Sequence, residues 1–152
     1  RDRLYPIVRG LLNLSKHVKV VFPIHPRTRN RLIEYGLHDL LKRSPGIKLI
    51  EPLGYLDFIR LVYNAELVVT DSGGVQREAY LLGKYSIVLR DETEWVELVE
   101  QNYVVLLHDP QELPRTYMEL KERLAPIRER NLLGDGRAAE RIVDILKRHL
   151  EH

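Results

Sequence analysis

The sequence contains no cysteine, and that absence excludes disulfides, thiolate nucleophiles and Cys-based zinc sites together. A cytoplasmic protein is the expectation. No apolar run approaches the roughly 20 residues that span a bilayer, and no signal-peptide pattern opens the chain, so no membrane partner is expected. Charge of one sign is also missing, since 24 basic residues nearly cancel 22 acidic ones to leave +2. Such a balance supplies no global field for nucleic acid. No G-x-G-x-x-G follows a strand-like run and no G-x-x-x-x-G-K-[ST] occurs, which removes the main support for dinucleotide and P-loop readings. The six histidines include no pair at metal-ligand spacing with a third ligand nearby, so neither a metal nor a cofactor is expected.

What remains is an ordinary globular composition. The 152 residues, 44% apolar and 30% charged, are enough for a single domain over 1–152 with a real core. Both ends look cut. Arg1 leads directly into a helix-like pattern, and Leu150-Glu151-His152 could begin a vector-encoded histidine tag. The expectation is an excised part of a longer protein.

Hydrophobic spacing alternates between two periods along the chain. Leu4, Ile7, Val8, Leu11, Leu12 and Leu14 recur at helical spacing, and "HVKVVFPI" is then a β-branched run. "RTRNRLIEYGLHDLL" reads as a helix interrupted near Gly36, "GIKLIE" as a strand, "YLDFIRLVYNAE" as a helix and "LVVTD" as a strand. "GVQREAYLLGK" reads as a helix capped by Gly83, "YSIVLR" as a strand, "EWVELVEQ" as a helix and "YVVLL" as a strand. From Pro110 the chain is helical in two pieces split by "NLLGDG". Continuous apolar strands alternating with helices predict an α/β fold, a Rossmann-like doubly wound parallel sheet. Ligands bind such sheets beyond the carboxyl ends of the strands.

The most informative of those ends is "VVTDSGGVQREAYLLGK", Val68 to Lys84. Ser72, Gly73 and Gly74 stand where a strand hands over to a helix, so free N–H groups and the positive end of the helix dipole face the ligand side. An anion such as a phosphate fits there, although Asp71 or Ser72 could simply cap the helix. Glu78 falls one turn further on the same face. It would repel phosphate but could accept hydrogen bonds from a ribose diol, unless it is only a solvated surface carboxylate beside Arg77. His25, ahead of Pro26 and Arg27, could donate to a phosphate or protonate a leaving group, against a purely structural role. Arg90 ends a strand and could pair with phosphate or with Asp91, Glu92 and Glu94. Phe58 and Trp95 read as core positions.

The segments "FPIHPRT", "PLGYLDFIRLV", "VVTDSGGVQREAYLLGK", "VLRDETEWVE" and the late "GDG" together resemble the carboxyl-terminal half of the non-hydrolysing UDP-N-acetylglucosamine 2-epimerases. The resemblance covers nearly the whole chain in order. It implies the C-terminal, UDP-binding half of a glycosyltransferase-B-like isomerase that serves cell-envelope polysaccharide synthesis. By the same resemblance, Ser72, Gly73 and Gly74 would bind the diphosphate of UDP or UDP-GlcNAc, Glu78 the ribose and the segment around Phe58 the uracil. His25 would lie near the diphosphate and the reacting sugar as the catalytic candidate, and Arg90 is counted with the UDP-binding residues. The N-terminal domain, with the acid/base carboxylates and a "THRxEN"-like segment ahead of Arg1, would be missing, and the whole enzyme would be a homodimer. Family members often carry "TERPE" where this chain has "TEWVE", so Trp95 replaces an arginine expected near the diphosphate. Two other readings stay open: the nucleotide-sugar half of a true glycosyltransferase, and a stand-alone nucleotide-binding module.

Overall fold

The computed structural model describes residues 3–127 and 130–150. Arg1 and the Glu151-His152 end singled out above lie outside them. Five parallel strands alternate with helices. The order is α1 (Leu4–Leu14), β1 (Val20–Pro23), α2 (Pro26–Glu34), α3 (His38–Arg43), β2 (Ile47–Ile50), α4 (Tyr55–Asn64) and β3 (Val68–Thr70). Then come α5 (Gly73–Leu81), β4 (Ser86–Val88), α6 (Val96–Glu100), β5 (Val104–Leu106), a 3-10 turn at Pro110–Glu112, α7 (Leu113–Arg123) and α8 (Ala138–Leu150). The break between α2 and α3 falls at Gly36, whose φ of 67° ends a helix without the Cβ penalty, and Gly83 (φ 76°) closes α5 the same way.

The strands pair in parallel throughout, but in two groups. β1 lies beside β2, and β3, β4 and β5 form a second sheet in that order. The α/β class expected from the alternation is therefore present, while β1 and β3 are not hydrogen-bonded to each other. Between them lies a largely apolar cleft of about 520 Å³.

The main core joins Val8, Leu11 and Leu14 of α1 with Ile24, Leu32, Leu41, Ile87, Leu113 and Tyr117. Leu32 and Leu113 are completely buried, and truncating either to alanine costs about 2–5 kcal/mol by the usual cavity argument. A second cluster, Tyr80, Val88, Leu98, Val104 and Ile127, fastens α5 and α6 to β4 and β5. α8 differs from every other helix in burying none of its residues, although Ile142, Val143, Ile145 and Leu146 repeat at helical spacing. Among the described residues, no helix is long and apolar enough to cross a membrane.

Candidate functional site

The site is built around the step from β3 to α5. Thr70 ends the strand, and its hydroxyl accepts the Ser72 N–H at 3.0 Å, which turns the chain into the helix. Ser72 takes the N-cap position in an extended conformation, yet its side chain makes no capping hydrogen bond. The first-turn N–H groups of a nine-residue helix therefore open outward without a side-chain acceptor from the cap.

The two glycines are there for different reasons. A Cβ at Gly73 would stand 1.5 Å from Oε1 of Glu94, so that position has to be glycine for the carboxylate to lie against the backbone. A Cβ at Gly74 would meet only the Ser72 hydroxyl, at an ordinary 3.8 Å. No contact among the described residues demands glycine at 74. An exposed helix start bare of side chain is what close approach by an external anion requires.

The loop after β4 clamps this turn. Arg90 pairs with Glu94 at 3.0 Å, and the Glu94 carboxyl is held below its ordinary range, first by its own backbone N–H and then by Arg90. Trp95 donates its indole N–H to the Gly73 carbonyl at 2.8 Å. Thr93 donates its hydroxyl to Oε1 of the fully buried Gln76 at 2.6 Å and accepts the Trp95 N–H at 3.2 Å. The Arg77 guanidinium lies 5.8 Å from the Trp95 ring centre. Asp91, the next acid along, turns instead to Arg3 at 3.2 Å and His108 at 3.3 Å.

Of the residues expected from sequence, Ser72, Gly73, Gly74 and Arg90 come together, with Arg90 engaged by Glu94. Glu78 is half-buried one turn along α5 and makes no side-chain hydrogen bond or ion pair among the described residues. Phe58 of α4 and Val75 of α5 are both half-buried against the cluster of Val62, Val68 and Ala79, which joins α4 to α5. Beside it Leu53, Tyr55 and Leu56 are exposed apolar side chains at the start of α4. His25 stands at the end of β1, in the other sheet. It caps α2, its Nδ1 accepting the Arg27 N–H at 3.2 Å, so the ring proton sits on Nε2, where it faces away from the cap.

Sequence reasoning named Glu94 as a partner for Arg90, which it is at 3.0 Å, but passed over its place against Gly73 and also Gln76, Thr93 and the polar role of Trp95. Trp95 looked like a core residue. A buried glutamine one turn after a glycine pair was the available signal, because such a side chain has to find partners. Among the described residues, no three His, Asp or Glu side chains gather where a metal ion could be held.

Residues 1–147 match the family described as UDP-N-acetylglucosamine 2-epimerase. A UDP-N-acetylglucosamine 2-epimerase of Methanocaldococcus jannaschii is 44% identical over 151 residues, which make up 96% of this chain and 40% of that protein. The crystal structure of the enzyme from that organism in complex with UDP-GlcNAc and UDP superposes with a TM-score of 0.83 at 41% identity, over 96% of this chain and 41% of the other. A Pseudomonas aeruginosa UDP-2,3-diacetamido-2,3-dideoxy-D-glucuronate 2-epimerase is 37% identical over 145 residues, 95% of this chain and 39% of that protein. The chain thus spans about two fifths of the length of these relatives, and it belongs to the UDP-N-acetylglucosamine 2-epimerase family.

Proposed function

We propose that this chain is the C-terminal UDP-binding domain, over 1–152, of a UDP-N-acetylglucosamine 2-epimerase, and that Ser72, Gly73 and Gly74 hold the diphosphate. The observation that carries the reading is the open first turn of α5, where Gly74 has no internal reason to be glycine. Backbone N–H groups at a helix start stabilise an anion without reorganising. Glu78 accepts the ribose hydroxyls one turn on, and the segment around Phe58, with Tyr55 and Leu56 exposed beside it, receives the uracil. Arg90 exchanges its Glu94 partner for a phosphate oxygen when the nucleotide enters.

The reaction in this reading breaks the C2–H bond of the sugar, moves that electron pair into a C1=C2 bond and expels UDP with the C1–O pair. Re-addition of UDP at C1, with a proton delivered to the other face of C2, gives the manno epimer. The domain stabilises UDP as leaving group, and His25 donates from Nε2 toward the departing diphosphate. The carboxylates that move the C2 proton belong to the part of the protein that precedes Arg1. The proposal includes a cytoplasmic setting, a homodimeric whole enzyme and a supply role for cell-envelope polysaccharides.

The test is ribose discrimination. UDP is expected to bind more tightly than 2′,3′-dideoxy-UDP, and Glu78→Ala should erase the difference while leaving phosphate-dependent binding in place. If the mutant discriminates as well as the parent chain, the ribose lies elsewhere and the site assignment fails.

A further inference from the structure

The α5 turn is short of positive charge for the ligand proposed for it. A nucleoside diphosphate brings two phosphate groups to one place, and backbone N–H groups at a helix start answer them with only a partial charge. Of the guanidinium groups nearby, Arg90 is already paired with Glu94 at 3.0 Å, and Arg3 is held by Asp91. Arg77 is different. It is exposed on α5, and no acid pairs with it among the described residues.

Its place is fixed through the site itself. Arg77 stands one turn after Gly73 on the same face of α5, and Trp95 bridges the two. The indole N–H is donated to the Gly73 carbonyl at 2.8 Å, while the Arg77 guanidinium lies over the ring, 5.8 Å from its centre. A guanidinium over an aromatic ring is attracted by the negative face of the ring and keeps its in-plane N–H donors free for a second partner. Stacking also settles in advance part of the side-chain freedom that an arginine loses when it binds.

The charges around α5 favour the same use. Helices α3, α4 and α6 carry an acid in the first turn, Asp39, Asp57 and Glu97, whereas α5 carries none. The carboxylate that lies on the turn, Glu94, comes from outside the helix and is engaged by Arg90. Glu78, the neighbour of Arg77 in sequence, does not pair with it. An uncommitted arginine beside a helix start with no acid of its own leaves this face positive until an anion arrives.

We propose that Arg77 is a specificity-determining residue of the nucleotide site, binding the second phosphate group of UDP by charge-assisted hydrogen bonds, so that the site distinguishes a nucleoside diphosphate from a monophosphate. The N–H groups of the first turn hold one phosphate, and Arg77, steadied by Trp95, holds the other. This rests on the reading of the α5 turn as a UDP site and adds to it the residue that reads the second phosphate.

NMR titrations of UDP, UMP and uridine into the parent chain and into Arg77→Met test it. Methionine keeps an unbranched apolar stem against the indole and removes the charge. The parent is expected to bind UDP more tightly than UMP, and Arg77→Met should cut that preference about tenfold, as loss of one hydrogen bond to a charged group does. Uridine affinity and the melting temperature should change little. Arg77→Lys, which keeps the charge, should recover most of the preference. A preference for UDP that survives intact in Arg77→Met overturns the assignment, while loss of UDP binding in Gly74→Val in the same series keeps the nucleotide reading standing. Equal losses for UDP, UMP and uridine give Arg77 only a structural part in bracing Trp95 and also overturn it. If neither nucleotide binds the parent chain, the nucleotide reading and the role of Arg77 fall together.

Discussion

Gly74 and Gly73, adjacent and chemically identical, should respond differently. Gly74→Val meets only ordinary internal contacts and blocks the approach to the first turn of α5, so calorimetry should show UDP affinity falling more than tenfold, about 1.4 kcal/mol, with thermal stability little changed. Gly73→Ala puts its new methyl where the Glu94 carboxylate lies, so that exposed, flexible side chain has to swing off the turn and loosen its pair with Arg90, and thermal stability should fall slightly. Glu94 itself is a built-in competitor, a carboxylate lying on the turn and holding Arg90. Glu94→Gln should therefore tighten UDP binding several-fold; a weaker complex would mean that Glu94 orders the site instead of opposing the nucleotide. The pH dependence has a definite sign. The Glu94 carboxyl is held below its unfolded value, so the stability that it gives the loop is complete above the ordinary glutamate range and is lost as pH falls through the lowered folded value. These contacts were hard to read in sequence, because Gly73 meets Glu94 and Gln76 meets Thr93 across separations that periodicity does not encode. The glycine pair and Glu78 were legible because they share one helix.

At the scale of the element, the loop between β4 and α6 is held to α5 by one indole N–H and by one hydroxyl that donates to the buried Gln76. Trp95→Phe keeps the ring and removes the bond to the Gly73 carbonyl, which should cost about 1 kcal/mol in denaturant unfolding and loosen the turn. A variant as stable as the parent would show that the bond does not brace the site. α8 offers the opposite case. Its apolar residues are all exposed, so Ile145→Ser should leave the melting temperature of this chain nearly unchanged, where the same change at a buried leucine such as Leu98 would unfold it. Helix boundaries were legible where chemistry marked them, at Gly36 and Gly83. Strand adjacency was not: each strand announced itself by its apolar run, but nothing in β1 or β3 says that they stand apart.

On the proposed reading, the molecule as a whole offers one wall of a reaction cleft. Proton abstraction at C2 requires a positioned base in a closed, water-poor site, and the groups gathered around the α5 turn are, on the proposed reading, a phosphate cradle and its clamp. This chain alone should therefore incorporate no deuterium at C2 of UDP-N-acetylglucosamine in heavy water, while addition of the proposed N-terminal domain should restore exchange at a rate limited by association of the two pieces. The central claim is that the β3–α5 turn binds UDP, and amide chemical shifts during a UDP titration report on it directly. The account expects saturable shifts centred on Gly73, Gly74 and Val75, extending to Glu78 and Phe58 and absent in Gly74→Val. Shifts that leave the α5 turn untouched, or that persist in the valine variant, would contradict it.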